Sequence, residues 1–326
     1  MKKINWGIIG CGDVTEIKSG PAFNKVSNSA LVAVMRRDAA KAKDYARRHN
    51  VPRWYDDASL LINDPNVNAV YVATPPSSHE AYCLAATDAG KPVYVEKPMC
   101  LDAASAANVA RHAALKNVKL TVAHYRRAQP MFKKIKQLLD EKAIGDIRMA
   151  RLDYFKMPLT AVELQQPKTA WRVNAAISGG GLFHDLAPHQ LDLMYYFFGA
   201  VEKANGIAAD RGWRDNVADL VAGNILFKNG VAFNGAWFFN ATAGAEKDCC
   251  EITGSAGKIS FSVFETQPMA LTVNNKTEYF SFDVLPHVQQ PIIDNVVNYF
   301  LGEGPNPCSG WDGEAVMKLM DTFTKR

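Results

Sequence analysis

The chain has 326 residues, 48% of them hydrophobic and 21% charged, a mix that fits two folded domains at roughly 100–200 residues each and excludes a disordered or collagen-like chain. Its 37 basic and 33 acidic residues leave a formal charge of +4, and because the two signs are well mixed the excess points to neither nucleic acid nor a membrane surface. No apolar stretch approaches the ~20 residues that a membrane-spanning helix needs.

Up to about residue 122, short β-branched runs at 4–9, 31–34, 53–55, 69–73, 92–95 and 119–123 alternate with helical candidates at 39–50, 77–90 and 103–117. That alternation predicts a parallel sheet wrapped by helices, a doubly wound nucleotide-binding domain. A helix at 129–142 follows, and then the signals become those of strands: 147–155, 218–227, 231–239, 250–253, 258–263 and 271–282, with turns at 228–230 and 254–257. One strong helix, 186–198, is inserted among them, and 292–301 and 314–323 are helical again. A mixed or antiparallel sheet with few helices is expected here.

The run 4–9 is interrupted by Asn5 and is too short for a signal-peptide core, so it reads as a first strand. Six cysteines, at 11, 83, 100, 249, 250 and 308, form no Cys-x-x-Cys pair and no zinc spacing. Reduced thiols, a cytoplasmic location and no metal are expected.

Gly10-Cys11-Gly12-Asp13-Val14-Thr15 follows the first strand directly and opens a helix, where two glycines permit a tight turn and close approach of backbone to a pyrophosphate. Thr15 replaces the third glycine of that motif, which implies looser helix–strand packing. At the end of the second strand, where an NAD site usually carries an acid, stand Arg36 and Arg37. A guanidinium there can grip a 2′-phosphate with two bonds, so NADP(H) is expected over NAD(H). The same stretch can also be read as two solvated arginines beside an Asp38 that caps the next helix.

Three further segments complete a pattern: Ala73-Thr74-Pro75-Pro76-Ser77-Ser78-His79, Glu96-Lys97-Pro98, and the run from Gly179-Gly180-Gly181 through Asp185, His189 and Asp192. In this order the chain resembles, over essentially its whole length, the glucose-fructose oxidoreductase / inositol dehydrogenase (Gfo/Idh/MocA) group of oxidoreductases. The resemblance implies a Rossmann doubly wound N-terminal domain over 1–122 and an α+β C-terminal domain over 123–326. The second domain would carry a large open mixed or antiparallel sheet for substrate and oligomerisation, with a final helix at about 312–326 packing back on the first domain. It implies cofactor contacts from Gly10, Cys11, Gly12, Asp13, Val14, Arg36, Arg37, Thr74, Pro75, His79, Glu96 and Lys97. Lys97, Asp185 and His189 would be catalytic, and Tyr125, Trp171 and Arg172 would join Asp185 and His189 around a sugar, inositol or related cyclic polyol. A homodimer or homotetramer is expected by the same analogy.

The residues support such chemistry on physical grounds. Pro75-Pro76 gives a rigid loop exit from a strand, and Ser77 or Ser78 can cap the helix that follows. Lys97 stands at the carboxyl end of a strand, where a fixed cation would stabilise alkoxide character on a substrate oxygen losing hydride. Glu96 beside it could bind a ribose hydroxyl. His189 is the candidate proton carrier, because imidazole titrates nearest neutrality, and Asp185 would orient it or hold a neighbouring hydroxyl. At a spacing of four residues the two share a face of an unbroken helix, but Pro188 suggests a helix start or kink and leaves their convergence open. His184 with His189 lacks a third metal ligand. Two other readings remain: a glycosidase using transient oxidation by tightly held NAD, and a non-catalytic dinucleotide-binding regulator.

Overall fold

The computed structural model describes residues 2–210 and 217–324. The chain divides into two units, Met1–Arg126 with Leu285–Met317, and Arg127–Val284 with Lys318–Arg326.

In the first unit β1 (Ile4–Ile9), β2 (Ser29–Met35), β3 (Arg53–Tyr55), β4 (Ala69–Val72), β5 (Val93–Val95) and β6 (Leu120–Val122) form one parallel sheet in the order β3-β2-β1-β4-β5-β6. Strands covered on both faces read as continuous apolar runs, and β4 and β5 are buried at every residue. The chain order reverses between β1 and β4, the switch point where open sheets of this kind open a crevice at the carboxyl ends of their strands. Helices Ala39–Arg48 and Ala103–Leu115 start where a carboxylate takes up an orphan amide: Asp38 accepts from the Lys41 N–H and Asp102 from the Ser105 N–H.

Residues 285–317 return to this unit. Helix Gln290–Leu301 brings Phe300 to 5.5 Å from the Trp6 ring, which also packs on Phe23 at 4.8 Å. The first unit thus takes in residues up to Arg126 together with Leu285–Met317. Helix Gly310–Thr324 is divided between the units. A Cβ on Gly313 would lie 2.7 Å from Met99 and 2.8 Å from Val122 in the first, while Phe323 packs 6.0 Å from the Trp237 ring in the second.

The second unit holds β7 (Ile147–Phe155), β8 (Val201–Ala209), β9 (Leu220–Phe227), β10 (Ala232–Phe238), β11 (Lys247–Gly254), β12 (Gly257–Phe261), β13 (Met269–Val273) and β14 (Lys276–Phe280). Their order is β14-β13-β12-β11-β7-β10-β9-β8, antiparallel throughout except for the parallel pair β7 and β10. Sequence patterning missed β8, because most of its residues are exposed and no apolar alternation marks it. It also read 271–282 as one strand. Asn274 and Asn275 both take positive φ, 50° and 60°, and turn that stretch into the two-residue hairpin of β13 and β14. Among the described residues no helix is long and apolar enough to cross a membrane.

Candidate active site

The turn after β1 is built on two glycines that are needed for different reasons. Gly10 has φ +95°, and a Cβ there would lie 2.7 Å from Thr74 Cγ2 and 2.8 Å from the Thr74 nitrogen. Its bare backbone lets the β1 and β4 loops touch. Gly12 is extended, and a Cβ would meet nothing nearer than the Gly10 oxygen at 4.0 Å. Open space stands in front of Gly12, and the amides of Asp13 and Val14 head the helix that begins there, where helical N–H groups lack intrahelical acceptors. This cradle fits a pyrophosphate. Thr15 does not loosen it: the side chain is fully buried, its hydroxyl donates to the Gly12 carbonyl at 2.8 Å, and its own carbonyl accepts from Tyr45 at 2.7 Å. Cys11 lies in the turn, and burial pushes its thiol up to about 11, so it stays protonated.

Arg36 directly follows β2 and is half-buried, with Nη1 donating to the Cys11 carbonyl at 3.3 Å, so its guanidinium lies against the turn. Arg37 is exposed. Asp38 spends its carboxylate on the Lys41 amide at 3.1 Å, and those contacts lower its pKa.

Three residues of the first unit face differently from expectation. His79 is fully buried, with Nδ1 3.0 Å from the Pro98 carbonyl and Nε2 2.6 Å from the Thr74 carbonyl. It struts the loops after β4 and β5 from beneath instead of reaching outward to a cofactor, and burial lowers its pKa. Ser78 makes no helix cap; its hydroxyl donates to Thr74 Oγ1 at 2.8 Å. Glu96, expected at a ribose, is 6% exposed and turned inward. Oε1 accepts from the Tyr71 hydroxyl at 2.5 Å and the Gln289 amide at 2.6 Å, and Oε2 from the Lys97 backbone N–H at 3.2 Å. Burial, then the Glu96 charge, raise the Tyr71 pKa well above normal, which keeps the phenol a donor. Tyr94 in turn donates to Gln289 at 3.1 Å. The carboxylate thereby anchors the backbone of Lys97, which stands half-buried just past β5 and precedes a cis peptide bond to Pro98. Nothing in the sequence around Gln289 signals this role.

In the second unit helix Leu182–Phe198 runs unbroken through Pro188. The proline removes one backbone bond, but the helix is pinned further on. Gln190 accepts from the Trp237 indole at 2.6 Å, and Asp192 takes Arg127 in a buried pair with contacts of 2.7 and 3.0 Å. Asp185 and His189 therefore share one helix face a turn apart. Asp185 forms an ion pair with Arg172 Nε at 3.0 Å, and the Arg172 guanidinium lies 5.2 Å over the Trp171 ring. These three expected residues are brought together. His189 is 5% exposed and meets the Phe264 ring edge to face at 5.6 Å. Tyr125, in the first unit, is largely buried under the Arg126 guanidinium. His184 lies on Gly180, where a Cβ would come within 2.2 Å of its ring. Among the described residues no three His, Cys, Asp or Glu side chains cluster as metal ligands.

Comparison with known proteins matches both units. The profile of an oxidoreductase family with an NAD-binding Rossmann fold, GFO_IDH_MocA, fits residues 4–124, and that of the GFO/IDH/MocA C-terminal domain fits 132–260. The chain is 46% identical to Oxidoreductase P35 of Formosa agariphila over 98% of both proteins. It is 28% identical to trans-1,2-dihydrobenzene-1,2-diol dehydrogenase of Xenopus laevis over 88% of this chain and 83% of that one. Levoglucosan dehydrogenase, solved with NADH and levoglucosan, shares the fold at a TM-score of 0.86 and 22% identity, over 98% of this chain and 96% of that one. With its phosphate-binding turn, its Glu96-Lys97-Pro98 segment and its second-domain helix in place, the chain belongs to the Gfo/Idh/MocA family of nicotinamide-dinucleotide-dependent oxidoreductases.

Proposed function

We propose that this protein transfers hydride between NADP(H) and a secondary alcohol or ketone of a sugar, inositol or related cyclic polyol. The observation that carries the reading is the setting of Lys97: a lysine just past the carboxyl end of an inner strand, its backbone tied to a buried carboxylate. The substrate class rests on the family and on relatives named for diols and levoglucosan.

Bound nicotinamide supplies the hydride acceptor or donor. In the oxidation direction, Lys97 stabilises the negative charge growing on the substrate oxygen. His189 accepts the hydroxyl proton on a ring nitrogen. Asp185, held by Arg172, positions the reacting hydroxyl or a neighbour. Reduction runs the same roles backwards. Gly10, Gly12, Asp13 and Val14 hold the pyrophosphate, with Cys11, Thr74 and Pro75 at its edge. Arg36 takes the 2′-phosphate, with Arg37 beside it; the preference for NADP(H) is supported by Arg36 lying on the turn while Asp38 is occupied as a cap. A homodimer or homotetramer rests on the family resemblance, and sizing in solution tests it.

The test is a screen of keto sugars and polyols with NADPH, NADP, NADH and NAD, followed by nicotinamide absorbance, with Lys97→Ala alongside. The variant is expected to bind cofactor normally and lose most turnover. Near-normal turnover would remove Lys97 from the mechanism, and a strong preference for NADH would remove Arg36 from the cofactor assignment.

A further inference from the structure

We propose that Phe264 is a positioning residue for the His189 imidazole and that Asp248 holds Phe264 in place; this rests on the reading of His189 as the proton carrier. Neither residue lies in a recognisable motif. Residues 262–268 join β12 to β13, and one side chain gathers the start of this loop. Asp248 of β11, itself buried, accepts from the backbone N–H of Val263 at 3.0 Å through Oδ1. Through Oδ2 it accepts from those of Phe264 at 2.6 Å and Glu265 at 2.9 Å. Its own carbonyl accepts the Ser262 hydroxyl at 2.6 Å. Successive backbone amides converging on one anion make a nest, here filled by the protein's own carboxylate.

The ring so fixed is half-buried between two others. It lies 5.6 Å from the His189 ring at an interplanar angle of 80°, and 5.0 Å from the Tyr154 ring. Such edge-to-face contacts depend on orientation, not only on bulk. The bonds of Gln190 and Asp192 fix the helix backbone, whereas the Phe264 contact bears on the imidazole itself. A proton carrier must present one nitrogen within hydrogen-bond reach of the substrate oxygen, so a wall against the ring governs how often it is aimed.

The test compares kcat and KM of the full-length enzyme with those of Phe264→Leu, Phe264→Tyr, Asp248→Asn, His189→Ala and the double variant Phe264→Leu/His189→Ala. The imidazole signals of His189 are followed by NMR on histidine-labelled protein. Phe264→Leu is expected to lower kcat on the order of ten- to a hundredfold with little change in cofactor KM. Asp248→Asn should follow it in direction, Phe264→Tyr should recover most of the loss, and the His189 signals should move in the first two only. In the His189→Ala background Phe264→Leu should add nothing. Unmoved His189 signals with wild-type turnover in Phe264→Leu would overturn the proposal, as would an undiminished effect of Phe264→Leu without His189. Normal turnover in His189→Ala would instead overturn the proton-carrier reading, and the His189 signals in Asp248→Asn, which keeps the Phe264 ring, would still decide whether Phe264 orients the imidazole. Should the leucine variant fail to fold, Phe264→Met and Asp248→Asn read out the same way.

Discussion

Alanine at Gly10 and alanine at Gly12 add the same methyl group two residues apart, yet the structure requires them to act on different equilibria. At Gly10 the new Cβ would sit 2.8 Å from the Thr74 backbone nitrogen and 2.9 Å from the Ala73 carbonyl carbon, distances at which the backbone itself must move. The positive φ of 95° adds a conformational cost of about 1–2 kcal/mol, and overpacking against backbone adds about 1–3 kcal/mol. Gly10→Ala should therefore lose about 2–5 kcal/mol of folding stability, the sum of those two ranges. At Gly12, φ of −117° suits alanine and the nearest atom is 4.0 Å away. Gly12→Ala should be neutral, or stabilising by about 0.4–1 kcal/mol through the unfolded chain. Its methyl group, however, projects into the space assigned to the pyrophosphate. Loss of NADPH affinity by at least about tenfold, or about 1.4 kcal/mol, is expected. Urea unfolding measures the first quantity and nucleotide fluorescence titration the second. Normal nucleotide binding by a stable Gly12→Ala would refute the cradle, and an unchanged midpoint in Gly10→Ala would refute the steric argument.

Arg127→Met leaves Asp192 charged and buried, so it should cost about 3–5 kcal/mol, while Arg127→Met/Asp192→Leu should recover most of that in the same urea assay. Because burial lowers the His79 pKa, the folded state binds its proton less well than the unfolded chain. The stability it contributes is complete above its ordinary pKa of about 6.5 and is lost as pH falls through the lower folded value. Unfolding midpoints measured from pH 8 to pH 5 should therefore fall towards acid, and the fall should be shallower in His79→Leu. Cys11, pushed up to about 11 and fully buried, should resist iodoacetamide at pH 8. Cys249, the one exposed cysteine of the six, should be alkylated first, as peptide mass spectrometry will show.

The first unit was legible in the sequence because its signals are local. Buried parallel strands read as apolar runs, and glycines and prolines mark the turns between them. Pro188 could be read either way, since a proline permits a helix start as readily as it strains a helix interior. What decided it was tertiary: Trp237 and Arg127 grip Gln190 and Asp192 from 47 and 65 residues away. Strand β8 was illegible for the opposite reason, since an exposed strand has no buried face to print an alternation. The hairpin at Asn274-Asn275 did carry a turn signal, and the length of the apolar stretch around it concealed that signal.

The site divides along the same line. Residues assigned to chemistry stand at strand ends and a helix face, and their types announce them: two glycines, an arginine, a lysine, an aspartate and a histidine. The groups that aim them come from elsewhere in the chain, and their types announce nothing. Glu96 looked like a ligand because it precedes Lys97. Its carboxylate is instead satisfied by Tyr71 and by Gln289, the latter 193 residues away. His79, a cofactor contact by the resemblance of the 73–79 loop, has its two ring nitrogens between two backbone carbonyls. A buried carboxylate must find donors wherever the fold brings them, so a sequence motif can propose reacting groups but does not show their supports. In this protein the supports are where substitutions should alter kcat without touching the substrate.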